Sequence, residues 1–184
     1  MINREEAFVI LKKYLKDPDS IKYSLAVEAV LRELARILYR DGELWSLTGL
    51  LHNLDYEYTC EELEKRGNLS AQLLDGLLPE NAVNAIKANN YMHTDYIPTT
   101  SLDKSLIAVA AICRLIIATA QSTPSKKLSE VDLNLLIERF KNPSFAADIS
   151  RSRIELCVDL GIDLKAFLTL SLATIKEMPD ELDL

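Results

Sequence analysis

His52 is one of only two histidines in this chain, and it opens a crowded polar run: His52, Asn53, Asp55, Tyr56 and Glu57. An imidazole set among carboxylates is a donor set that suits first-row divalent metals. His93, with Asp95 two positions further on, would enlarge that set if the fold brought the two segments together. Two histidines rule out an all-histidine zinc site, and neither sits in an HExxH helix or a cysteine-rich knuckle, so any metal would depend on carboxylates. The plainer reading is that a histidine ending a buried helix is a hydrogen-bonded structural residue. The acids after it then serve as solvated loop residues or helix-start charges. Tyr56, Tyr58, Tyr91 and Tyr96 flank the same region and have the amphipathic rings that line pockets and loop rims alike. The five glycines are scattered singly, so there is no phosphate-cradling loop.

These residues must be positioned by helices. Few glycines and prolines interrupt the chain, and the intervals between them carry apolar residues at three- and four-residue spacing, the pattern of amphipathic helices. The fold expected is all-α. Asn3 with Glu6 predicts a capped first helix ending near Lys16, broken by Asp17-Pro18. A second helix is expected over about 20–40, stopped by Asp41-Gly42. A third, about 43–53, is almost uncharged after Glu43 and should run through the centre of the domain, delivering His52 and Asn53 at its last turn. The stretch from Asp55 to Pro79 is polar and irregular, with a helix expected at 70–77. Pro79 starts a helix to about Asn90, and Tyr91 to Thr100 reads as a loop. Ser101 to Ala120 is a strongly apolar helix, followed by helices over about 129–141, 143–160, closed by Gly161, and 163–177.

Length and composition support one domain over residues 1–184, with 48% hydrophobic and 27% charged residues, an ordinary globular balance. The net charge of −7 opposes nucleic acid and anionic membrane surfaces, and neither is expected as a partner. Three cysteines far apart in sequence fit a reducing cytoplasm better than a disulfide framework. The first residues, charged throughout, do not read as a signal peptide. The longest apolar segment, Leu106 to Ala120, is short for a membrane span and is interrupted by Arg114. The apolar content permits a helix-packed homodimer.

The segments YSLAVEAVLRELA (Tyr23 to Ala35), LWSLTGLLHNLDYE (Leu44 to Glu57), AIKANNYMH (Ala85 to His93) and SLDKSLIAVAAICRLIIATA (Ser101 to Ala120) resemble the HD-domain superfamily of metal-dependent phosphohydrolases. The tail from Phe145 to Ile175 is similar to the end of its small single-domain bacterial members. The resemblance runs from about Ile21 to Ile175 and implies a single-domain helical bundle. It also implies a metal held by a histidine on the first core helix, an adjacent His-Asp pair and a later aspartate. At those positions this chain has Tyr23, His52, Asn53 and Ala110, and Asn89 stands where histidine is frequent. Only His52 remains from the core ligand set, so His52 is the one residue carried over as a metal ligand. Asp55 and Glu57 match the acidic residues that follow the His-Asp pair in close relatives.

A metal supplies hydroxide by lowering the pKa of water from about 15.7 to about 7, roughly 12 kcal/mol at about 1.36 per unit. A lone general base contributes only about 3–5 kcal/mol. The expectation is therefore a degenerate relative, inactive as a hydrolase and using no cofactor, that binds an unidentified small molecule or protein partner. The alternative is an active phosphohydrolase on a small phosphorylated substrate, with Mn, Fe or Ni in a displaced site built from His52, Asp55, Glu57, His93 or Asp95.

Overall fold

The chain's first turn is held by the capping box that Asn3 and Glu6 predict: the Asn3 side chain accepts from the Glu6 amide and the Glu6 carboxylate accepts from the Asn3 amide. This computed structural model describes residues 1–178; residues 179–184 of the expected domain lie outside them. Helix α1 spans Arg4–Tyr14 and α2 Pro18–Ile37. Asp17-Pro18 both ends the first helix and starts the second, with Asp17 as the cap and Pro18 in the first turn. Helix α2 ends earlier than expected, on Tyr39 in the left-handed region (φ 53°). Asp41 is the N-cap of α3 (Gly42–Leu51), accepting from the Leu44 amide, and does not stop α2.

Helix α3 is the axis of the structure: every residue from Leu44 to Leu51 is buried. It packs most extensively on α2, and also on α1, on α5 (Glu80–Ala88) and on α7 (Ser101–Gln121). Gly49 makes the α2 contact possible, because a Cβ there would come within 2.9 Å of the Val27 carbonyl oxygen and 3.1 Å of the Glu28 Cα. Helix α7, capped by Thr100 and Asp103, is buried along most of its length and is the second core element. Between α3 and α5 the polar stretch forms a short 3₁₀ turn at Tyr56–Tyr58 and helix α4 (Asn68–Leu74). Helix α6 (Tyr91–Thr94) is one turn inside the segment read as a loop.

After α7 come a 3₁₀ turn at Leu128–Glu130 and α8 (Leu133–Lys141). The single helix expected over 143–160 does not form. Turns lead to a short α9 (Arg151–Glu155) and a 3₁₀ turn at Val158–Leu160, closed by Gly161 with a left-handed φ. The cause is Arg151, whose guanidinium donates to the carbonyls of Arg139, Phe140, Asn142, Phe145, Ala146 and Ile149. Carbonyls satisfied by one side chain need no helical amide partner. Helix α10 (Leu164–Lys176), capped by Asp163, completes the bundle. Among the described residues ten helices form one domain and no strand occurs. No helix among them is long and apolar enough to cross a membrane.

Candidate functional site

The cavity at the end of α3 is lined from several parts of the chain, α6 and the turn before α9 among them. Helix α2 contributes Tyr23, the end of α3 contributes His52 and Asn53, and the end of α5 contributes Asn89. Helix α7 contributes Ala110 and Arg114, the turn before α4 contributes Arg66, and α9 contributes Arg153; the volume is about 440 Å³. Tyr23, His52, Asn53, Ala110 and Asn89, far apart in sequence, therefore all reach one place. Arg66, Arg114 and Arg153 were not anticipated there. Arg114 left a signal, as the one charge inside the apolar segment Leu106 to Ala120; Arg66 and Arg153 left none.

His52 is 3% exposed. Its Nδ1 lies 2.7 Å from the Gly49 carbonyl oxygen. A carbonyl can only accept, so Nδ1 carries the proton and Nε2 presents its lone pair. Nε2 is buried without a hydrogen-bond partner. Burial pushes the imidazole pKa from 6.5 down to about 4; the Gly49 carbonyl opposes the shift, and the Arg114 and Arg153 charges add to it. The ring is neutral at neutral pH. Tyr23 meets it edge to face at 5.4 Å between centroids. Its hydroxyl donates to the Ala110 carbonyl (3.1 Å). Burial raises the phenol to about 12, so it keeps its proton.

The guanidiniums are held by aromatic faces. Arg66 lies 4.7 Å from the Tyr56 ring centroid, and Arg114 is 5.8 Å from Tyr56 and 5.7 Å from Tyr23. Arg66, Tyr56, Arg114, Tyr23 and His52 thus form one continuous wall. Arg153 sits 6.0 Å from the Tyr91 ring and donates to both the backbone and side-chain oxygens of Asn89, each at 2.7 Å. Among the described residues none of the three arginines has a carboxylate partner in an ion pair. Among the described residues, the exposed Asp148 is the one acid lining the cavity.

The remaining residues of interest lie elsewhere. Asp55, fully buried, accepts from the Gly67 (2.7 Å) and Ser70 (2.9 Å) amides and so anchors the start of α4. Gly67 has φ +83° and approaches the Ile86 carbonyl closely enough that a Cβ would sit 3.1 Å from it, so glycine is required there. Glu57 accepts from the Lys16 and Asp17 amides, both at 2.9 Å, and holds the turn between α1 and α2. His93 and Asp95 are exposed at and just after α6. Among the described residues no three His, Cys, Asp or Glu side chains are grouped to hold a metal.

A divalent cation fits this cavity poorly. It would meet one imidazole nitrogen, a protonated phenol, a neutral amide and a methyl group where hard or borderline cations need several anionic or imidazole donors. The three guanidiniums would repel it. Comparison of the chain with protein-family models, curated proteins and solved structures finds no match.

Proposed function

We propose that this protein is a degenerate HD-domain protein, inactive as a metal-dependent phosphohydrolase, that acts as a metal-free binding module. One observation carries this reading: the positions that the resemblance marks as the metal site, Tyr23, His52, Asn53 and Ala110, line a single cavity in which only His52 is the ligand the resemblance calls for. The cavity keeps the place of a ligand site without the carboxylates and further imidazoles that would hold a water-activating metal there. Asp55 and Glu57, the acids nearest in sequence to His52, are engaged by backbone amides, which argues against their rebuilding a displaced metal site. Three unpaired cysteines, Cys60 exposed and Cys113 and Cys157 buried, support a reducing, cytoplasmic setting.

The test is a calorimetric titration of chelator-treated protein with Mn²⁺, and anaerobically with Fe²⁺ and Ni²⁺, alongside an assay for phosphate-ester hydrolysis in each metal. The result expected is no saturable heat and no hydrolysis above the metal-only control. One-to-one micromolar binding, or hydrolysis, that disappears in His52→Ala would overturn the reading in favour of an active enzyme.

A further inference from the structure

We propose that the cavity is a binding site for a small organic molecule carrying a doubly charged oxyanion, seated by the guanidiniums of Arg66, Arg114 and Arg153 where a cation would otherwise sit. The proposal rests on the metal-free reading above and adds the chemistry of the ligand.

Charge is the first support. The chain has 28 acidic against 21 basic residues, yet the cavity gathers three arginines against the single carboxylate of Asp148. Elsewhere acids and bases pair freely: Glu28 takes both Arg4 and Arg32, and Glu33 takes Arg36. Like charges held together without a counterion raise the energy of the folded chain. Burial, together with the neighbouring Arg114 charge, opposes the charged form of Arg153, which is held below the usual guanidinium range. An anion would relieve that cost. The balance of three guanidiniums and one carboxylate leaves two positive charges, matching a dianion.

Geometry is the second support. The guanidinium carbons of Arg66, Arg114 and Arg153 lie 4.7 to 6.0 Å from the ring centroids of Tyr56, Tyr23 and Tyr91, and the hydrogen bonds the arginines make leave further N–H groups for a ligand. Arg66 uses Nε and one terminal nitrogen on Thr59, and Arg153 uses one terminal nitrogen on Asn89. A planar fork of fixed N–H donors matches the oxygens of phosphate or carboxylate. Held in place by rings, it loses little side-chain entropy on binding.

His52 is the third. Its buried, unpartnered Nε2 is an acceptor, and a site that fills it supplies a hydroxyl or N–H donor beside the anion. A volume of about 440 Å³ lies in the range of small-molecule pockets and exceeds what an inorganic ion needs. A second recess of about 540 Å³ shares Tyr23, Asn53, Arg66, Arg114, Asp148 and Ile149 with the first; with Asp17 and Asp19 also on its lining, it suits the uncharged or cationic remainder of such a molecule, not the anion. Phosphate monoesters and dicarboxylates share the required charge.

The experiment titrates chelator-treated, full-length protein with sodium phosphate, glycerol phosphate, malonate and, as control, sodium chloride at matched ionic strength, read by calorimetry and thermal shift. Saturable binding of a dianion, absent with chloride and weakened about tenfold or more in Arg114→Gln and in the partly buried Arg66→Gln, is the result expected. Preference for the phosphates assigns a phosphoryl group, and preference for malonate a dicarboxylate; either supports the proposal. Circular dichroism confirms that each variant is folded, and Arg66→Gln decides the matter if Arg114→Gln is not. Equal responses to dianions and chloride, or binding untouched by the arginine substitutions, would overturn it. Tight Mn²⁺ binding without anion would instead overturn the metal-free reading beneath it, so the two failures are distinguishable.

Discussion

Acidification should destabilise this protein through His52 in a way that can be isolated from every other titrating group. The imidazole is buried against Tyr23, with the Arg114 and Arg153 charges as its charged neighbours, and its pKa is about 4; in the unfolded chain it returns to about 6.5. Since the folded value lies below the unfolded one, the unfolded chain takes up the proton first as pH falls. The stability due to neutral His52 is therefore fully present above about pH 6.5 and is lost between about 6.5 and about 4. At about 1.36 kcal/mol per pH unit, that interval corresponds to about 3 kcal/mol. The assay is urea denaturation of the wild type and of His52→Gln at steps from pH 4 to pH 7. Subtracting the two curves cancels the carboxylates common to both. The expected difference changes by about 3 kcal/mol across the interval, with the wild type losing more as pH falls. A flat difference, or an imidazole resonance titrating near pH 6.5 in the folded protein and absent from His52→Gln, would refute the burial assigned to this ring.

Two further substitutions test the scaffold. Gly49→Ala places a methyl 2.9 Å from the Val27 carbonyl oxygen and 3.0 Å from Leu31 Cδ1. The overpacking, about 1–3 kcal/mol, should exceed the helix-propensity gain of about 1 kcal/mol, so denaturant unfolding should show a net loss of up to about 2 kcal/mol; a stabilised variant would contradict the close approach of α2 and α3. Asp55→Ala removes the acceptor for the Gly67 and Ser70 amides in a buried position. Loss of the cap and of buried partners should cost about 2–4 kcal/mol and speed hydrogen exchange at the start of α4. Unchanged stability would show that the carboxylate is free for another role.

Much of the fold follows from local rules that act within a few residues. The Asn3–Glu6 capping box, the apolar α3, the apolar α7 and the Gly161 turn are legible because helix caps, 3.6-residue periodicity and positive-φ glycines are short-range physics. Where the reading failed, a long-range contact decided. The stretch over 143–160 has helical composition, yet Arg151 gathers six carbonyls from up to 12 residues away and holds the chain in turns, which no periodicity encodes. In the same way Asp17-Pro18 and Asp41-Gly42 are ambiguous in sequence, since a capping residue that starts one helix looks like the break that ends another.

The candidate site divides along the same line. The sequence by itself determined that a buried helix delivers His52 and Asn53 at its end, and that Asn53 and Ala110 bring no anionic metal ligand, because donor chemistry belongs to residue type; that Tyr23 keeps its phenol proton was decided by its burial in the fold. Only the tertiary structure decided which polar residues meet. It takes Asp55 and Glu57, adjacent to His52 in sequence, into caps facing backbone amides, and it brings Arg66, Arg114 and Arg153 from three separate elements to one cavity. Residue type sets what a group can bind, but the electrostatic field of a site is a sum over neighbours fixed by helix packing. That is why an apparent acidic metal cluster in the sequence becomes, in the folded chain, a recess lined by cations.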